Sequence, residues 1–277
     1  MRTVPLRVDR HHPFFFDHPV DHLPGNLLVA GLLGLADDVT GGALRRADRR
    51  LRLAFAFPAF GELDGPVELR CDQAGDTLGL TATQSVGDTV RDICRGTVTV
   101  LPGATRPTVA APAGPGSGGT GSGGTGSGGT ATPAGHAEPK LVHRADLSTV
   151  MLGAPTRTPA GEFTCPVLRC PALAAPADLR DPIEVIEAAR QLVLMLGHIA
   201  NGHPLDVHVV WIELTADIPA APPADLPLRV SWRRPEGRPR ARTAFDMGLH
   251  AGAADLGTVR LVTHTMSPVA YRKVRSA

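Results

Sequence analysis

Two stretches of this chain are apolar at nearly every position, and each is followed by runs in which apolar and polar residues alternate. The first, LPGNLLVAGLLGLADD, lies within residues 18–37 and its margin, and predicts a turn leading into an almost wholly buried helix. Alternating runs follow at 51–60, 66–72, 77–86 and 89–100, the signature of half-buried strands. The second apolar stretch, DPIEVIEAARQLVLMLGHIAN at 181–201, is longer and is preceded by a short strand-like run at 161–170. Strand-like runs follow it at 206–218, 227–234, 240–252 and 257–266. Each half therefore reads as one apolar helix, entered early, and then a meander of strands.

A helix that is apolar nearly all round must be covered on most sides, and an antiparallel sheet curled about it does this. That is the hotdog arrangement. The pattern predicts an α+β protein made of a double hotdog, two antiparallel sheets each wrapping a long apolar helix. A pair of ferredoxin-like domains would require a second helix per half, and the pattern offers none. Between the halves stand three tandem copies of a five-residue Gly/Ser/Thr unit, Gly116 to Thr130, with Pro- and Ala-rich flanks. Such a segment has nothing to bury, so 104–139 is expected to be a disordered linker, natural or introduced by fusion. As a random coil it is long enough to join two packed domains. The expected hotdog units are then 1–103 and 140–277.

Composition narrows the function. The 277 residues suit two domains, and 43% apolar with 20% charged residues is enough for real cores. A net charge of +1 gives no reason to expect nucleic acid or an anionic membrane as partner. The first residues, MRTVPLRVDRHHPFFF, lack the apolar core of a signal peptide, and no run is long enough to span a bilayer. Cys71, Cys94, Cys165 and Cys170 show no zinc-ribbon spacing and read as reduced and mostly buried, so a cytoplasmic protein is expected. Metal-ligand spacings, P-loops, nucleophile elbows and dinucleotide fingerprints are missing from the sequence, and no cofactor is expected.

Two constellations carry possible chemistry. Phe15 to Gly25 packs the pairs Asp17–His18 and Asp21–His22 into six residues before the first apolar helix. A carboxylate beside an imidazole fixes its tautomer and suits it to acid–base work. Pro24 and Gly25 at the helix entrance leave backbone N–H groups that could hold a thioester carbonyl oxygen. The plainer alternative is a capped turn with solvated histidines. On the second helix Glu187, Arg190 and Gln191 share one face, which Glu184 and His198 extend. A buried Glu187 would carry a raised pKa and could act as acid or base, unless the stripe is simply the wet side of an amphipathic helix. His198 and His203 flank the helix end, where a histidine commonly complements the dipole, and His208, His250 and His264 read as structural.

The segment DHPVDHLPG, Asp17 to Gly25, resembles the signature of the A-factor biosynthesis (AfsA-like) family, and more distantly the His…Pro-Gly entrance of hotdog hydroxyacyl dehydratases. LVHR (Leu141 to Arg144), DPIEVIEAARQ (Asp181 to Gln191) and AYRKVR (Ala270 to Arg275) look like that family's other repeat. Two departures stand out. The repeats occur in the reverse of the family's usual order. Moreover, Ala30 and Leu33 occupy the positions where the family's DHPxDHxPG repeat carries its own Glu and Arg. What survives is complementary, and the resemblance implies one composite site with histidine from one half and carboxylate from the other. It implies transfer of a β-ketoacyl group from acyl carrier protein or coenzyme A to a small hydroxylated acceptor such as dihydroxyacetone phosphate. In that scheme Glu187 takes the hydroxyl proton, Arg190 holds phosphate or oxyanion, and Gln191 helps bind. Asp17, His18, Asp21 and His22 orient the thioester and relay protons. A dehydratase or thioesterase with His18 as base and Glu187 as acid, or a non-catalytic acyl binder, are the alternatives. The assembly is expected to be a monomeric double hotdog or a homodimer.

Overall fold

A computed structural model describes residues 1–103, 135–173, 178–235 and 241–276. Of the tether expected over 104–139, residues 104–134 lie outside the described residues. The five residues beyond it do not hang free: His136 bridges Gly153, and Ala137 is buried and donates its N–H to Leu152.

In chain order the elements are β1 (Arg2–Pro5), α1 (Gly25–Val39), β2 (Arg49–Ala56), β3 (Val67–Ala74), β4 (Thr77–Val86) and β5 (Thr89–Pro102). After the gap come β6 (Thr156–Arg157), β7 (Glu162–Pro166), α2 (Pro182–Ile199), β8 (His208–Pro219), β9 (Leu228–Arg233), β10 (Arg242–Ala251), β11 (Ala254–Met266) and α3 (Pro268–Arg275). The alternation decides which face is covered. Leu51, Leu53 and Phe55 of β2, Val67 and Leu69 of β3, and Leu78, Leu80 and Ala82 of β4 all point inward. Those of β3 and β4 meet α1, whose Leu27, Leu28, Val29, Leu32, Leu33, Leu35 and Ala36 are buried. In the other half α2 packs on β8, β9 and β11 and is buried along almost its whole length.

Two separate sheets were expected; the structure has one. All eleven strands form a continuous antiparallel sheet in the order β1-β3-β4-β5-β2-β8-β11-β10-β9-β7-β6. The seam is β2 against β8, running from Arg50 opposite Pro219 to Ala56 opposite Glu213. Left apart, each strand would present a row of unpaired N–H and C=O groups, and pairing them removes two edges at once. Arg50 reinforces the seam by reaching Asp217 and donating to the Leu256 carbonyl at 2.8 Å. Both helices lie against this sheet and touch each other. Three elements were not anticipated: the edge strands β1 and β6, too short to show a period, and α3.

Candidate active site

The helix starts determine what meets. Pro24 precedes α1 and no side chain caps that end, so the first N–H groups of the helix have no side-chain partner. A Cβ added to Gly25 would stand 3.2 Å from the Trp211 ring of β8, so glycine lets the other half close over the helix entrance. The next residue, Asn26, is buried and donates to Glu187 Oε2 at 3.2 Å. This contact joins the start of α1 to the middle of α2.

Glu187 is fully buried and accepts five hydrogen bonds. Arg190, one turn on, grips it with a fork of two bonds of 2.7 Å each. Arg144 donates at 2.6 Å and Gln191 at 3.0 Å. Burial alone would raise the carboxyl pKa, but the charges of Arg190 and Arg144 and their hydrogen bonds outweigh it and hold the pKa at about 2. The raised pKa expected of Glu187 is therefore reversed, because a second guanidinium, that of Arg144, joins Arg190 from 43 positions away and was not visible in the spacing. Glu184, on the same stripe, shows the behaviour expected of its neighbour. Burial raises its pKa, and Arg169 and Arg180 stand only at 3.4 and 3.6 Å.

Arg144 is the hinge of the arrangement and was not picked out by its chemistry; only its place in the LVHR segment signalled it. It is buried, its guanidinium lies 4.6 Å from the Phe14 ring centre, and it donates to the Phe14 carbonyl at 2.6 Å and to Asp17 at 3.1 Å. Asp17 also accepts from the Ala145 N–H, from Thr149 Oγ1 and from His18 Nδ1, the last at 2.6 Å. Burial opposes ionisation here too. It is outweighed by the bond from His18 and by Arg144, and the Asp17 pKa falls to about 2. Since Asp17 is ionised, His18 Nδ1 carries the hydrogen between them, and in the neutral ring Nε2 keeps its lone pair. A continuous line thus runs from His18 through Asp17 and Arg144 to Glu187 and Arg190. The histidine and the glutamate belong to one network, linked through intermediates rather than by contact.

The second Asp-His pair goes elsewhere. His22 Nδ1 lies 2.8 Å from Asp21, and Tyr271 of α3 donates to Asp21 at 2.7 Å. Arg275 donates to the Asp21 carbonyl and forms an ion pair with Glu62 at 2.7 Å. Burial works against ionisation of Asp21, yet the bonds from His22 and Tyr271 prevail and lower its pKa. His208 stacks on Tyr271 with ring centres 3.8 Å apart. Four residues that stand together in the sequence therefore divide between a buried network and a half-exposed latch for α3.

A cavity of about 190 Å³ lies at another corner, lined by Ala30, Leu33, Gly34 and Asp37 of α1, by Arg45, and by Asp181 to Ile183 at the start of α2. Its ionised groups are already committed. Asp37 accepts from the Leu44 N–H at 2.9 Å and pairs with Arg45 at 3.1 Å, while Asp181 caps α2. Room alone does not mark a reaction centre, and the linked charges place the candidate site at Glu187. Cys71, Cys94, Cys165 and Cys170 are buried and unpaired. Among the described residues no cluster could hold a metal ion and no helix is long and apolar enough to cross a membrane.

The class defined by this fold is the hotdog proteins. The chain aligns with the dehydratase domain of RzxB from Pseudomonas fluorescens at a TM-score of 0.58 and 14% identity, covering 96% of this chain and 94% of that one. The dehydratase domain of the polyketide PpsC from Mycobacterium tuberculosis gives 0.58 and 12% over 96% and 92%. A thioesterase from Novosphingobium aromaticivorans gives 0.54 and 14% over 89% of each chain. Residues 128–267 match the AfsA model, the A-factor biosynthesis hotdog domain, and the chain belongs to that family. A 2-oxo-3-(phosphooxy)propyl 3-oxoalkanoate synthase from Streptomyces virginiae is 34% identical over 67 residues, which is 24% of this chain and 22% of that protein.

Proposed function

We propose that this chain transfers a β-ketoacyl group from an acyl carrier protein or coenzyme A thioester to a small hydroxylated acceptor. Its place would be the synthesis of a butyrolactone-type signal or related metabolite. The observation that carries the reading is the bridge of Arg144 between Asp17–His18 and Glu187–Arg190. The name of the Streptomyces virginiae relative describes the ester such a transfer would make, a 3-oxoalkanoate of a phosphooxy-propyl unit. The reading takes 1–103 and 140–277 as two fused hotdog units, and one chain supplies the whole composite site.

The roles differ from those expected. Glu187, ionised and saturated with donors, anchors Arg190 and Arg144 and takes no proton. The base is His18, with Nδ1–H tied to Asp17 and Nε2 free to receive the acceptor's hydroxyl proton. The hydroxyl oxygen attacks the thioester carbonyl, the C–S bond breaks, and His18 returns the proton to the departing thiolate. Arg190 presents its outer donors to phosphate or to the developing oxyanion, aided by the open N–H groups after Pro24 and Gly25. Gln191 steadies the floor by donating to the Thr149 carbonyl and accepting from the Met151 N–H. Asp21 and His22 hold the entrance segment in place through α3.

A dehydratase would need a protonated acid for the leaving hydroxyl, and Asp17 and Glu187 are both held ionised. That favours acyl transfer. The test is intact mass spectrometry of a β-ketoacyl carrier protein with and without dihydroxyacetone phosphate. Release of the acyl group only with acceptor, lost in His18→Ala, is the expected result. Loss of water from a β-hydroxyacyl carrier instead would make the chain a dehydratase. Binding without turnover of either would make it an acyl-binding protein.

A further inference from the structure

His143 precedes Arg144 and ends a short 3-10 turn, Pro139–Val142, at φ 51°, the left-handed region that usually falls to glycine. Among the described residues it is the one non-glycine with positive φ. That backbone sends the imidazole toward α2, where its Nε2 lies 3.0 Å from His198 Nε2. Two facing nitrogens share one proton, and the far side of His198 says which ring supplies it. His198 Nδ1 stands 2.9 Å from the carbonyl oxygen of His203, which only accepts, so in the neutral ring Nδ1 carries the hydrogen. His198 Nε2 is then the acceptor and His143 Nε2 the donor. The consequence is a lone pair on His143 Nδ1, an atom without a hydrogen-bond partner among the described residues. The groups around it keep the ring neutral: burial first, then the positive charge of Arg190, with His198, His18 and His208 also facing it, push its pKa down to about 4.

We infer that His143 Nδ1 is the hydroxyl-reading atom of the acceptor subsite. An accepting nitrogen near a guanidinium fits a ligand that offers a hydroxyl hydrogen on one side and an anionic or carbonyl oxygen on the other. The chemical class is a small phosphorylated or carbonyl-bearing alcohol. His198 acts through His143 as a positioning residue, since it fixes the tautomer. The inference rests on the acyl-transfer reading for the identity of the acceptor, but the subsite can be observed without turnover.

The experiment is 15N NMR of the histidine rings in the full chain, free and with dihydroxyacetone phosphate, alongside kinetics of His143→Phe, His143→Asn and His198→Phe. The free protein should show His143 as the Nε2–H tautomer at neutral pH, and added acceptor should shift its Nδ1 resonance. His143→Phe should raise the acceptor KM about tenfold, the loss of one hydrogen bond, with the thioester KM unchanged. His143→Asn should recover part of that loss through its side-chain oxygen, and His198→Phe should let both tautomers appear. An Nδ1–H tautomer in the free protein overturns the inference, as does an Nδ1 resonance that ignores the acceptor. If the resonance responds yet no acyl group is released, the subsite stands and the acyl-transfer reading fails.

Discussion

The two corners where α1 and α2 cross are built from the same places in the two helices and have opposite contents. Counted from each helix start, Ala30, Leu33 and Gly34 take the positions of Glu187, Arg190 and Gln191. Likewise Asn26, which reaches Glu187, corresponds to Ile183, which lines the cavity beside Ala30. One corner holds two ionised carboxylates, two arginines and a histidine linked without interruption. The other holds a cavity with Ala30, Leu33 and Gly34 on its α1 wall, where no carboxylate or guanidinium replaces Glu187 and Arg190. The fold supplies the same framework twice, and only side chains decide which copy carries the linked charges. On the proposed reading, loss in one half is harmless because the other half keeps the complementary set.

The largest effect should come from breaking the charged corner. Glu187→Ala leaves Arg144 and Arg190 buried without their shared anion and should cost about 3–5 kcal/mol in urea unfolding. Ala30→Ser, the matching change at the apolar corner, should stay within about 1 kcal/mol. Similar losses for both would erase the distinction between the corners.

Acid should act on the same corner. Asp17 and Glu187 ionise at about 2 in the folded chain against 3.8 and 4.5 ordinarily. A carboxylate with a lowered folded pKa stabilises fully above its unfolded value, and that contribution is lost as pH falls from there toward 2. Unfolding free energy measured between pH 6 and 2 should therefore drop, and the drop should shrink in Asp17→Asn.

A smaller effect is expected when charge is written into the apolar corner. Ala30→Glu should destabilise by about 1–3 kcal/mol, since the guanidinium at that corner, Arg45, is already paired with Asp37, and adding Leu33→Arg should recover part of it. The double variant should gain no catalysis, which a mass spectrometric assay would show, because His18 stands at the other corner. The smallest change is Tyr271→Phe. It removes one of the ties of Asp21 and His22 to α3, leaving that from Arg275, and should cost about 1 kcal/mol by thermal unfolding.

Much of this was legible in advance for a physical reason. The period of two in β4 reappears residue for residue as Thr77–Val86, and the apolar run around Leu192 as the buried α2, because burial is what wrote the pattern. Asp17 and His18 on one side, and Glu187, Arg190 and Gln191 on the other, were visible as two separate groups, joined only by the family resemblance. Hidden were Arg144 as the bridge, Asn26 across the helix crossing and Tyr271 from α3, since partners separated by 43, 161 and 250 positions leave no local period. The direction of the Glu187 shift failed for the same reason: spacing shows that a carboxylate will be buried, but not how many guanidinium groups will meet it. Likewise, the joining of two sheets into one depends on β2 and β8 facing each other, which neither strand's sequence encodes alone.

The most direct test of the account is a crystal structure with a non-hydrolysable β-ketoacyl thioester analogue. The account predicts the analogue's carbonyl oxygen between Arg190 and the start of α1 at Gly25, with His18 Nε2 within hydrogen-bonding reach of the acceptor position. An analogue seated instead in the cavity beside Ala30 and Ile183, away from Glu187, would contradict it.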